Sequence, residues 1–110
     1  MIVKDLIEKT NWVVLTKDVG LDNIIDGVFC GDLLSFVIGN SNSGNIWVTM
    51  QGHINAIGVA CLKDLSAIIL VKGAIIDDST IDKAIKEGVV IINSGLSCYN
   101  SCKVLIELGL

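Results

Sequence analysis

Thr49, Gln51, His53 and Asn55 fall on alternate positions of one short polar segment, between the apolar runs Ile46–Val48 and Ala56–Leu62. His53 is the only histidine in the chain. An imidazole titrates near neutral pH and suits proton transfer, metal ligation or hydrogen bonding to a ligand. General-base chemistry would also need an orienting partner and a nucleophile within reach. No acidic residue lies close to His53 in sequence, and neither a GxSxG elbow nor an HExxH helix occurs. The expectation is therefore no catalytic residue. The segment either presents Thr49, Gln51, His53 and Asn55 to a ligand or uses them to satisfy the free N–H groups of a helix start.

Cysteine is the other chemically capable residue type. Of Cys30, Cys61, Cys98 and Cys102, only the pair Cys98-x-x-x-Cys102 is close in sequence. One helical turn apart, on the face that also carries Leu105, these two read as a core stripe. No CxxC pair is present, so the sequence predicts reduced, metal-free cysteines and no cofactor. Gly39-Asn-Ser-Asn-Ser-Gly44 has the glycine spacing of a P-loop, but Asn45-Ile46 stands where Lys-Ser/Thr should follow, and the loop precedes a strand. Nucleotide phosphates have no lysine there, and a flexible loop is the expected role.

The elements that must position these residues alternate along the whole chain. Val3, Leu6 and Ile7 mark a short first helix. Trp12–Thr16 reads as a buried strand, and Leu21–Phe29 as a weaker, edge-like one. Asp32 is placed to cap a helix running to Gly39. The apolar run Ile46–Val48, the polar loop, the apolar helix Ile54–Leu62 and the strand Ser66–Val71 make a βαβ unit. Asp77-Asp78-Ser79 opens the next helix, with Ser79 and Asp82 resembling a capping box, Ile81, Ala84 and Ile85 as its buried stripe and Gly88 as its stop. Helix capping explains the Asp77–Asp78 pair better than a divalent cation does. Val89–Ile92 is an apolar strand, Asn93-Ser94-Gly95 a turn, and Ser97–Leu108 the last helix.

This order predicts a single α/β domain over residues 1–110, with three layers and a mostly parallel sheet of about five strands flanked by helices. Thr49–His53, Lys72–Asp77 and Asn93–Gly95 all leave parallel strands and should share one edge, where α/β proteins bind ligands. Thr49, Gln51, His53, Asn55, Lys72 and Ser94 are accordingly the candidate contacts for a small polar or anionic ligand.

Composition narrows the partners. The 110 residues carry 8 Lys+Arg against 12 Asp+Glu, for a net charge of -4, and all 8 cations are lysine. That balance argues against nucleic acid and anionic membranes, and it leaves no arginine fork for an anion. The chain is 52% hydrophobic, with a mean hydropathy of +0.69. No apolar run reaches the roughly 18 residues of a membrane span. The first residues lack the apolar core of a signal peptide, so a cytoplasmic protein is expected. A homodimer is expected too, because the helix Ile54–Leu62 has almost no polar face and must be covered.

Gly31-Asp-Leu-Leu-Ser-Phe-Val-Ile-Gly39 and Trp47–Ala60 resemble the small, free-standing DRTGG-domain proteins. Lys72-Gly73, Lys83–Gly88 and Ser97-Cys-Tyr99 continue the likeness over almost the whole chain. The naming pentapeptide is replaced by Asn23-Ile-Ile-Asp-Gly27, and the Tyr-Glu pair of the last helix by Tyr99-Asn100. The resemblance implies a three-layer α/β domain similar to the N-terminal domain of HPr kinase/phosphorylase and usually dimeric. As a module, this domain accompanies CBS domains in some inorganic pyrophosphatases, which implies regulation rather than catalysis. Stand-alone members tend to be encoded near anti-sigma-type ATPases and iron-only hydrogenase components. The first reading is thus a non-catalytic regulatory or ligand-sensing domain, with itself and a further protein as partners. The alternative is a small enzyme or a hydrogenase-associated metal or redox accessory protein that uses His53 and the cysteines.

Overall fold

Residues 46–49, 67–71 and 89–92 are almost entirely apolar, without the polar alternation of a half-exposed sheet. Such strands need cover on both faces, and the computed structural model, which describes all residues from Met1 to Leu110, provides it. The element order is α1 (Val3–Thr10), β1 (Val13–Val14), β2 (Val28–Cys30), α2 (Leu34–Asn40), β3 (Ile46–Thr49), α3 (Ile54–Lys63), β4 (Ala67–Leu70), α4 (Asp78–Glu87), β5 (Ile91–Asn93) and α5 (Cys98–Glu107). The sheet order is β1-β5-β4-β3-β2. Strands β2 to β5 run parallel, and β1 pairs antiparallel with β5 at one edge. The predicted three-layer α/β fold and its element order are therefore present.

Alternate side chains of each strand enter two separate cores. Ile46, Val48, Ala67, Ile69, Val90 and Ile92 pack with Val3 and Leu6 of α1 and Leu105 of α5. Trp47, Ile68, Leu70 and Ile91 pack with Val37, Ile57, Ala60 and Ala84 of α2, α3 and α4. The period of two carries one residue up and the next down. Both sets find apolar partners, so the central strands β3 and β4 are buried throughout.

Several local expectations change. Trp12–Thr16 is not a buried strand: only Val13–Val14 pairs, and Val13, on the edge strand, is 61% exposed. Within Leu21–Phe29, regular pairing is confined to the end, where β2 forms the other edge of the sheet. Asp32 does not cap α2, whose N-cap is Leu33 without a side-chain bond, and Gly39 lies inside that helix. The Asn40–Asn45 loop is tied down by its own amides: Asn42 N–H donates to Asn45 Oδ1 (2.9 Å), and Ser41 and Asn45 are buried. At α4 the cap is Asp77, which accepts from Thr80 N–H at 2.8 Å, rather than a Ser79–Asp82 box. Thr80 and Ala84 form the buried stripe, with Ile81 and Ile85 half-buried.

Candidate functional site

The carboxyl ends of β2, β3, β4 and β5 share one edge, and every predicted contact residue lies along it. Their uses differ. Thr49, at the end of β3, is fully buried; its Oγ1 donates to Asp32 Oδ1 at 2.7 Å and accepts from Gln51 N–H at 3.1 Å. Met50 N–H donates to the same Asp32 oxygen (2.8 Å), and Gln51 Nε2 donates to the Asp32 carbonyl (3.0 Å). Asp32, expected as a helix cap, is instead the acceptor that gathers the β3–α3 loop. Ser94 is likewise internal: its Oγ pairs with Ser101 Oγ at 2.8 Å and accepts from Leu96 N–H, fastening the β5–α5 turn to α5. Thr49 and Ser94 thus spend their polar side-chain atoms on the fold, as Gln51 does its Nε2 amide.

His53, Asn55 and Lys72 are exposed. His53 is the N-cap of α3, with Nδ1 accepting from Asn55 N–H at 3.1 Å, which leaves Nε2 free. It lines an open cavity of about 300 Å³ with Gly52, Ile54, Ile75, Asp77, Ser79 and Thr80, between the starts of α3 and α4. A Cβ on Gly52 would stand 1.9 Å from the Ile75 carbonyl oxygen, so only glycine allows the two loops to close. Within the cavity the Asp77 carboxyl is held below the usual carboxylate range, first by the Thr80 N–H and then by the Thr80 and Ser79 side chains, with His53 a minor contributor. The free N–H groups of α4 already have an anion there. Lys72 is not among the residues lining this cavity; its backbone N–H bonds the Leu96 carbonyl.

A second group was not foreseen. In β2 the side chains alternate, so Val28 packs in the α1–α5 core and Phe29 in the opposite one. Cys30 follows on the α5 side, where Cys98 and Cys102 occupy the first turn and a half of the helix. The sulfurs of Cys30, Cys98 and Cys102 all lie within 4.8 Å of one another, with Cys30 Sγ and Cys98 Sγ 3.1 Å apart. Cys30 and Cys98 are exposed and Cys102 half-buried. Trp47, completely buried, donates its Nε1–H to the Gly31 carbonyl at 2.8 Å, and Gly31 N–H bonds the Val48 carbonyl. These two bonds fix the chain directly after Cys30. The fourth cysteine, Cys61, sits exposed on α3, across the sheet.

The chain matches no protein-family model and no curated protein.

All three thiols are pushed up, towards the protonated form. Burial pushes Cys30 and Cys102 up; Cys98 is raised first by its hydrogen bond with Cys30 and then by burial. The Asp32 carboxylate adds to the rise at Cys30 and Cys98. The positive end of α5, capped by the Ser97 hydroxyl on Asn100 N–H, acts in the opposite sense on Cys98. Three soft donors from two elements can ligate a thiophilic cation, and the closest pair can be oxidised to a disulfide. Only the Cys98–Cys102 spacing was readable in the sequence; Cys30 stands 68 positions before Cys98.

Proposed function

We propose that this chain is a non-catalytic regulatory domain of the DRTGG type, responding to its ligand through Cys30, Cys98 and Cys102. The observation that carries this reading is the convergence of three thiols, from elements far apart in sequence, at the ligand-binding edge of a parallel sheet. An enzyme has less support. The one imidazole caps a helix, and it has no hydrogen bond to a nucleophile or an orienting carboxylate. Thermal melts of the reduced protein with thiophilic metal salts and with the oxidant diamide test the proposal, run beside a Cys30→Ser/Cys98→Ser/Cys102→Ser variant. The parent should shift and the variant should not, since only ligands of the native state raise its stability. Identical behaviour of the two proteins would remove the basis for the reading.

A small polar ligand between α3 and α4 is a second reading, supported by the cavity beside His53. His53→Ala should then abolish a thermal shift found in a metabolite screen without unfolding the protein. Self-association belongs to the proposal as well: Leu33, Phe36 and Leu62, on the α2–α3 side of the sheet, are more than half exposed, apolar groups that a second copy would cover. Light scattering at tens of micromolar should give a dimer (a concentration in the range where micromolar affinities are populated); a monomer would refute this part.

A further inference from the structure

We propose that Cys30, Cys98 and Cys102 form a three-thiolate site for one Zn²⁺ ion, with a fourth, solvent-side position left open. The inference rests on the thiol-sensing reading above and names its ligand. Zn–S bonds of about 2.3 Å in a tetrahedron set the sulfurs about 3.8 Å apart. The observed separations, from 3.1 Å for Cys30–Cys98 to at most 4.8 Å, bracket that value. The exposure of Cys30 and Cys98 leaves room for the side-chain rotations that would equalise these distances. On binding, each thiol releases its proton to solvent and forms one S–Zn bond, with no change of oxidation state.

Charge decides between the soft cations. Three thiolates around Zn²⁺ leave a net -1, which the start of α5 accommodates because Cys98 is its first residue. Around Cu⁺ the same thiolates leave -2, with the carboxylate-bearing Asp32 only two residues beyond Cys30 in the chain. The partial exposure of the group also gives a Cu⁺ centre little shelter from oxidation. Three protein ligands with an open position are the pattern of an accessible zinc site rather than of a closed structural one. Such a site exchanges its ion and can accept a donor from another molecule. Ligation would clamp the carboxyl end of β2 to the start of α5. Trp47 reports on that clamp, since its indole is bonded to the residue after Cys30.

The full-length chain, purified anaerobically, reduced and stripped of metal, is titrated with Co²⁺ and then with Zn²⁺ against a chromophoric chelator. One equivalent of Co²⁺ should give thiolate charge-transfer absorption and tetrahedral d–d bands, displaced by Zn²⁺ and accompanied by a change in tryptophan fluorescence. Cys30→Ser, Cys98→Ser and Cys102→Ser should each weaken Zn²⁺ by more than the 10–100-fold that loss of an outer-shell partner costs, and Cys61→Ser should not. On the unmutated protein, Zn²⁺ should protect those three cysteines, but not Cys61, from iodoacetamide, read by peptide mass. An octahedral Co²⁺ spectrum without charge transfer, or Zn²⁺ binding indifferent to Cys30→Ser, overturns the site. If diamide joins Cys30 to Cys98 while no metal binds, the zinc inference fails and thiol sensing stands. If the thiols answer to neither, both fail.

Discussion

Two regions share the carboxyl edge of the sheet and are built in opposite ways. The α3–α4 cavity joins two loop–helix junctions, and in each the polar group is engaged by its own local backbone, His53 Nδ1 by Asn55 N–H and Asp77 Oδ1 by Thr80 N–H. The thiol group is assembled from β2 and α5, and its sulfurs have only one another. Polar side chains at loop–helix junctions are recruited first by the unpaired N–H groups beside them. Cysteine makes only weak hydrogen bonds, so three sulfurs brought together retain their capacity for a ligand.

Substitutions at four positions probe that contrast. The largest effect belongs to Trp47→Ala, which empties a fully buried site and frees the Gly31 carbonyl. A loss of about 3–5 kcal/mol is expected in denaturant unfolding. Trp47→Phe should cost less but still loosen Zn²⁺ binding, because the bond positioning the residue after Cys30 is lost while most of the ring is kept. If Trp47→Phe leaves Zn²⁺ affinity unchanged, that bond does not organise the thiols.

Gly52→Ala acts on the other region alone. The new methyl would collide with the Ile75 carbonyl, and forcing the loops apart should cost about 1–3 kcal/mol. Any ligand of the α3–α4 cavity should be lost, while iodoacetamide labelling of Cys30, Cys98 and Cys102 stays as in the parent. Altered labelling would mean that the two regions are coupled.

Asp32→Ala tests the link between them, since Asp32 collects Thr49 and Met50 and lies near the thiols. Leaving the buried Thr49 hydroxyl without its acceptor should cost about 1–3 kcal/mol. Removal of the negative charge should make Cys30 and Cys98 react faster with iodoacetamide at neutral pH. Slower or unchanged reaction would show that Asp32 does not act on the thiols.

Asp77→Ala should have the smallest effect, and one that depends on pH. Its carboxyl is depressed in the folded state relative to the usual 3.8. The stability it contributes is therefore present above that value and disappears as pH falls through the lower folded one. The variant should melt below the parent at neutral pH, and the gap should close as the pH falls below 3.8 and through the lower folded value. A gap independent of pH would assign the effect to helix propensity rather than to the capping charge.

Element identity and order were legible in the residues because they depend on local patterns. Continuous apolar runs made β3, β4 and β5, and Gly88, with its positive φ, ended α4 as expected. Strand lengths at the sheet edges were less legible. Trp12–Thr16 is as apolar as a central strand, but nothing covers Val13, and only two residues pair. The polar segment was correctly placed at the carboxyl edge, yet its sequence could not tell that Thr49 and Gln51 would be claimed by Asp32.

Residue types and their periods determined by themselves the α/β class, the buried parallel strands, the starts of α3 to α5, and the absence of arginine. Hydrophobic burial and helix capping act over a few residues, so a linear reading captures them. Tertiary structure alone decided which cysteines meet. Cys30 reaches Cys98 and Cys102 because β2 lies at the sheet edge beside β3, with Cys30 on the α5 side of its alternation, and because α5 lies on that same face. Strand order, pleat parity and helix placement are set by the packing of the whole chain, and no spacing between Cys30 and Cys98 encodes them.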